Sequence, residues 1–78
     1  MDYVDDLGRT YDAMGTPRAA MFWDEREFLA SLDKHLLKGN DFTVVDFTGF
    51  SYEQVATVRT YINSLPSEVQ EAILMIGP

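Results

Sequence analysis

NDFTVVDFTGFSYEQ, residues 40–54, is the stretch that decides the fold of this chain. Residues 42–47 are rich in β-branched and aromatic side chains, as strands are. Both alternating faces are apolar except at Thr43 and Asp46, which predicts a central strand covered on both sides. A carboxylate in such a strand is costly unless it is paired, hydrogen-bonded or at the strand end. Asp46 is therefore either a functional group or a cap.

A helix follows this strand at once. Residues 48–49 make the turn, and Ser51 with Gln54 forms a capping box that satisfies free amides at a helix start. Pro66 interrupts the helix, and residues 73–76 form a second apolar strand. One face of the helix carries four apolar side chains: Val55, Val58, Ile62 and Leu65.

An amphipathic helix precedes the first strand. Asp24 and Glu27 have the spacing of a helix N-cap and its third residue, and Lys38 with Gly39 provides a cation and a glycine stop at the other end. The apolar stripe between them consists of Phe28, Leu29, Leu32 and Leu36. Trp23 and Phe22 precede the cap, where they could pack onto Phe28.

The order of these elements predicts a small α/β domain. A strand, a crossover helix and a strand form a right-handed βαβ core, preceded here by the amphipathic helix. Residues 22–78 are expected to form this compact domain and residues 1–21 an acidic N-terminal arm that could include a short helical turn. Because a two-stranded sheet is marginal alone, a third strand must come from the arm, a symmetry mate or a partner chain.

Composition limits the classes of function. The chain has 78 residues, no cysteine and a net charge of −7, so it is one domain without disulfides or thiolate metal sites. The negative charge disfavours direct binding of nucleic-acid phosphates and makes a basic protein partner easier, although acidity also serves solubility. The sequence has no signal-peptide pattern and no run long enough to span a membrane.

Four residues are candidates for catalysis: His35, Lys38, Asp46 and Thr48. Histidine is the usual general acid–base, and ligands of parallel sheets bind beyond the carboxyl ends of the strands, where Asp46 and Thr48 are expected. Each has a structural alternative. His35 can be a boundary residue that the helix dipole favours, and Asp46 can fix the following turn, which is the role we favour for it.

Five residues are candidates for binding a protein partner: Asp2, Asp5, Asp6, Asp12 and Trp23. The aspartates would supply acidic charge, and Trp23 is an interface residue type, although packing in the core explains it better. No phosphate loop, nucleophile elbow, histidine pair or cysteine cluster is present, so we expect no metal and no cofactor. An open sheet edge would also allow self-association.

Three segments resemble the C-terminal modules of bacterial polymorphic toxins of the contact-dependent inhibition and Rhs types. They are GRTYDAMG (residues 8–15), FWDEREFLASLDKHLLKGNDFTVVDFTGF (residues 22–50) and VRTYINSLPSEVQEAILMIG (residues 58–77). The resemblance implies an effector, delivered as part of a larger toxin, that acts in a neighbouring cell's cytoplasm, commonly on RNA or DNA. It also implies a cognate immunity protein that neutralises the effector.

The acidity of the chain departs from the basic surface of nuclease toxins. It leaves a second hypothesis open, in which the chain is a small acidic inhibitor or immunity-type protein that blocks a basic site on an enzyme. The sequence does not decide whether the chain is an enzyme.

Overall fold

The computed structural model describes residues 2–15 and 17–77, which form four strands and four helices. The strands are β1 (Tyr3–Val4), β2 (Thr10–Met14), β3 (Phe42–Asp46) and β4 (Ile73–Ile76). The helices are α1 (Pro17–Met21), α2 (Glu25–Leu37), α3 (Tyr52–Asn63) and α4 (Ser67–Glu71). The predicted α/β class is confirmed.

The strands form one mixed sheet in the order β1-β2-β3-β4. Strand β1 is antiparallel to β2, whereas β2, β3 and β4 are parallel to one another. In this register Asp12 lies beside Thr43, and Thr43 lies beside Ile73. Strand β3 is therefore central, as predicted, and β3, α3 and β4 form the expected βαβ unit.

The N-terminal segment supplies the additional strands that the sheet needs. Residues 1–21, which we expected to form an arm, contribute β1, β2 and α1, and β2 pairs directly with β3. Of the three sources considered for a third strand, the N-terminal segment is the one observed. Its scattered apolar residues gave no sustained period, because β2 has only five residues and an aspartate at its centre.

The capping patterns place the two long helices correctly. The Asp24 carboxylate accepts a hydrogen bond from the Glu27 amide at 3.1 Å at the start of α2. Ser51 and Gln54 form a reciprocal capping box at the start of α3. Lys38 is the C-cap of α2, and Gly39 follows it with a positive φ of 75° that glycine adopts without strain.

The core lies between the helices and one face of the sheet. Strand side chains that share this face pack with the apolar stripes of α2 and α3. The buried members are Met14, Phe28, Leu32, Val45, Phe47, Phe50, Val58, Ile62 and Ile73. Together they form the single two-layer core of the described chain.

The prediction that β3 is covered on both sides is wrong. Thr43 and Val45 are buried, but Phe42, Val44 and Asp46, which point to the other face, are only partly buried. Adjacent parallel strands joined by crossovers of one hand, all stepping in one direction, place their helices on the same side of a sheet. The second face therefore lacks a helical layer.

The ends of β2 and β3 approach each other closely at Gly15. Its φ is +85°, and a Cβ atom at this position would lie 2.5 Å from the carbonyl oxygen of Asp46. Only glycine combines this backbone conformation with that contact.

Candidate functional site

The most unusual polar group of the core is the carboxylate of Asp12, which is 3% exposed. Its Oδ2 atom makes a short contact with Nδ1 of His35 and lies 3.3 Å from Nζ of Lys38. The side chain of His35 is 19% exposed and that of Lys38 is 50% exposed. A buried anion is thus joined to one partly buried and one accessible basic group, which we call the Asp12 cluster.

Two elements build the Asp12 cluster. Because strand side chains alternate, Asp12 shares the helix-facing side of β2 with Met14. His35 lies in the last turn of α2 and Lys38 is its C-cap, three positions apart and therefore on one side of the helix. The negative end of the helix dipole also favours cations at these positions.

The electrostatics of the cluster keep Asp12 ionised. The hydrogen bond from His35 lowers the pKa of Asp12, burial opposes this shift, and the contact with Lys38 adds to the lowering. An ionised carboxylate only accepts hydrogen bonds, so the hydrogen of the short contact belongs to Nδ1 of His35. This leaves Nε2 of His35 as the nitrogen that can exchange a proton with another group.

Asp46 and Thr48 lie elsewhere. The Oδ1 atom of Asp46 accepts a hydrogen bond from the Thr48 amide at 2.9 Å, and hydrogen bonds from the Thr48 side chain and backbone lower the pKa of Asp46. Asp46 lies three residues after Thr43, the neighbour of Asp12, which is about 10 Å along a strand, and its side chain is on the opposite face. The structure groups His35 and Lys38 with Asp12, and not with Asp46 and Thr48.

The candidate partner residues also separate. Asp2, Asp5 and Asp6 lie on the surface around β1 and its turn to β2, whereas Asp12 is enclosed beneath the helices. Burial acts to raise the pKa of Asp5, but hydrogen bonds, the first from the Arg9 amide, lower it to about 2.

Trp23 is partly buried and packs against the core, the kind of role that the sequence favoured. Its ring lies 5.2 Å from the ring of Phe28 and 5.8 Å from that of Phe50. Phe22, the other predicted staple residue, is 69% exposed.

The role of Asp12 is the feature that sequence reasoning missed. Asp12 precedes His35 by 23 positions, so no local spacing signals the contact. The available signal was the alternation in residues 10–14, which places Asp12 and Met14 on one face of a strand.

One groove on the surface lies apart from the Asp12 cluster. A groove of about 440 Å³ is lined by Phe50, Tyr52, Val55, Ala56 and Arg59. Within residues 2–15 and 17–77, no group of three or more His, Cys, Asp or Glu side chains could hold a metal ion. In that same part of the chain, no helix has the length and apolar character needed to cross a membrane.

The fold supports the class that the sequence suggested. The chain is similar to a protein of a contact-dependent inhibition system, which supports the role of a toxin effector or a related immunity-type protein. The particular neighbour is the solved structure of the CdiA-CT toxin from Burkholderia pseudomallei E479 in complex with its cognate CdiI immunity protein. The TM-score is 0.72 at 25% sequence identity, over 90% of this chain and 67% of that chain.

No protein-family model matches the chain. No curated protein matches it either. The resemblance therefore rests on the fold and on the three sequence segments.

Proposed function

We propose that this chain is the effector module of a bacterial polymorphic toxin that acts on nucleic acid in the cytoplasm of the target cell and is neutralised by an immunity protein. The observation that carries the proposal is the Asp12 cluster, a histidine held by a buried carboxylate beside an accessible lysine, in a fold similar to one in a solved toxin–immunity complex.

The cluster has the groups that phosphodiester cleavage needs. Nε2 of His35 takes the proton of an attacking hydroxyl, whose oxygen forms a bond to phosphorus while the leaving oxygen departs and is protonated by water. Asp12 orients the imidazole and stabilises the imidazolium. Lys38, whose side chain is half exposed, offsets the negative charge that develops on the phosphoryl oxygens.

The distribution of charge supports this assignment despite the net charge of −7. The helices and their caps carry five of the six basic residues and seven acidic ones, a net of −2. Asp12, which lies beneath the helices, brings this to −3, and the remaining residues carry five aspartates and Arg9, a net of −4. An anionic substrate therefore meets slightly less repulsion at the helical layer, which contains His35 and Lys38.

Asp46 and Thr48 remain predicted functional residues, but they belong to a different site from the Asp12 cluster. They lie at the carboxyl end of β3, where parallel sheets commonly bind ligands. A role there would be independent of the Asp12 cluster.

The second candidate is an acidic inhibitor that occupies the basic site of an enzyme, and the strongly acidic sheet layer favours it. Inducible expression in bacterial cytoplasm separates the two candidates. We expect the unchanged chain to arrest growth, His35→Ala to abolish the arrest, and the neighbouring control Lys34→Ala to keep it.

The circular dichroism spectra of the three proteins should agree, because neither His35 nor Lys34 belongs to the buried apolar core. His35→Ala should nevertheless melt at a lower temperature than Lys34→Ala, because it removes the imidazole that pairs with the buried carboxylate of Asp12. Arrest by the His35→Ala variant would remove His35 from the mechanism. Normal growth with the unchanged chain would contradict the effector proposal and favour the inhibitor.

A further inference from the structure

The face of the sheet opposite the helices carries a continuous set of apolar side chains. Strand alternation and the observed register place six of them together: Tyr3, Tyr11, Phe42, Val44, Leu74 and Ile76. We call this set the open sheet face. All four strands contribute to it. At the two edges of the sheet, Tyr3 is 56% exposed, Leu74 39% and Ile76 50%, so both edges present apolar surface to solvent.

Three rings of the open sheet face are already ordered. Tyr3 and Tyr11 stack with their centroids 4.4 Å apart, and Tyr11 and Phe42 stack at 5.0 Å. The guanidinium of Arg9 lies 5.5 Å from the centroid of the Phe42 ring. A preorganised aromatic surface loses little side-chain entropy when a partner binds, which is the property of interface hot spots.

Carboxylates lie around the open sheet face. Five aspartates outside the helical layer are at least partly exposed: Asp2, Asp5, Asp6, Asp41 and Asp46. The one basic residue outside that layer is Arg9, which pairs with Asp5 at 2.7 Å. The apolar centre therefore has a rim of net charge −4, and its electrostatic complement is a cationic rim around an apolar centre.

We infer that the open sheet face is the docking surface for a protein partner with an apolar centre and a basic rim. The inference rests on the proposed function, because it assigns this surface to the neutralising protein. Nucleic acid fits poorly, since its phosphates would meet the acidic rim. A second copy of the chain fits poorly as well, because two rims of the same sign would face each other.

The experiment uses the full chain and the protein of the source genome that restores growth to cells expressing it. Dissociation constants are measured for Tyr3→Thr and Ile76→Thr on the open sheet face. The matched controls are Tyr52→Thr and Leu37→Thr on the helices, whose residues are 88% and 86% exposed.

We expect each open-face variant to weaken binding about tenfold or more, as substitution at a hot spot does, and each control to change it less than about twofold. Asp2→Asn combined with Asp6→Asn should lower the association rate at low salt, and this effect should shrink as salt screens the charges. Circular dichroism and melting confirm that the variants stay folded.

Three other results would overturn the inference. Weaker binding by the helix controls with normal binding by the open-face variants would place the interface on the helical layer. A dimer in light scattering that Ile76→Thr dissolves, or binding of a single-stranded RNA that Tyr3→Thr abolishes, would assign the face to another occupant.

Failure of the docking surface can be distinguished from failure of the proposed function. A neutralising protein whose affinity ignores the open sheet face contradicts only the inference. If no protein restores growth, the proposed function fails, and the docking surface fails with it.

Discussion

Replacing Asp12 with asparagine tests the Asp12 cluster through stability alone. Asparagine keeps an oxygen that can accept the hydrogen of Nδ1 of His35 but removes the buried negative charge. Asp6→Asn is the matched control, since it removes one charge from an exposed turn. Any difference between the variants therefore reports the environment of Asp12.

The structure sets the expected magnitude. A hydrogen bond to a charged group contributes about 1.5–3 kcal/mol and a neutral one about 0.5–1.5 kcal/mol. Lys38 adds less than about 1 kcal/mol, because its half-exposed side chain is screened by solvent. Asp12→Asn should therefore lower the free energy of unfolding by about 1–2 kcal/mol at pH 7. For a domain of this length that corresponds to a melting temperature lower by roughly 5–15 °C.

The pH dependence has a definite sign. Because the folded state lowers the pKa of Asp12 from its ordinary 3.8, the carboxylate contributes stability that is fully present above that pH and is lost as the pH falls through the folded value. The stability difference between the unchanged chain and Asp12→Asn should thus shrink in acid as the pH falls below 3.8.

Urea unfolding followed by the fluorescence of Trp23 measures these differences, since this single tryptophan packs against Phe28 and Phe50. Equal stability of Asp12→Asn and Asp6→Asn at pH 7 would refute the reasoning. So would a difference between the unchanged chain and Asp12→Asn that does not decline in acid.

Two further predictions concern the carboxyl ends of the strands. Asp46→Asn should melt like the unchanged chain because it keeps the acceptor for the Thr48 amide, whereas Asp46→Leu should lose roughly 1–3 kcal/mol; a fully stable leucine variant would exclude the turn-fixing role. Gly15→Ala should destabilise the fold by more than about 2 kcal/mol, because φ is positive there and the new Cβ atom would contact Asp46. The control Gly8→Ala also has a positive φ but open space around it, so it should cost about 1–2 kcal/mol. Equal melting curves of the two variants would contradict the close approach of Gly15 to Asp46.

Sequence reasoning succeeded where the signal was local. The caps at Asp24 and Ser51 fix the starts of α2 and α3 because each acts on an amide three residues away. The bond from the Thr48 amide to Asp46 spans two residues and could also be anticipated. The resemblance to contact-dependent inhibition toxins was likewise carried by segments readable in the sequence, and the fold supports it.

The remaining features depend on long-range pairing. Strand β2 is short and has a polar centre, so its own sequence does not predict that it pairs with β3. That position is determined by backbone hydrogen bonds to a strand distant in the sequence. The contact of Asp12 with His35 depends on that placement, so no local sequence pattern groups His35 and Lys38 with Asp12. The uncovered face of β3 depends on the direction in which the crossovers step, a property of topology and not of residue type.

Strand order along the sheet matches strand order along the chain, which has a mechanical consequence. The first and last strands, β1 and β4, are the two edges, so a pull from either side removes one edge strand before it reaches β2 or β3. The strand pairs therefore separate one after another, beginning at an edge of the sheet. Refolding in chain order adds each strand beside its predecessor, and no strand has to insert between two that are already paired.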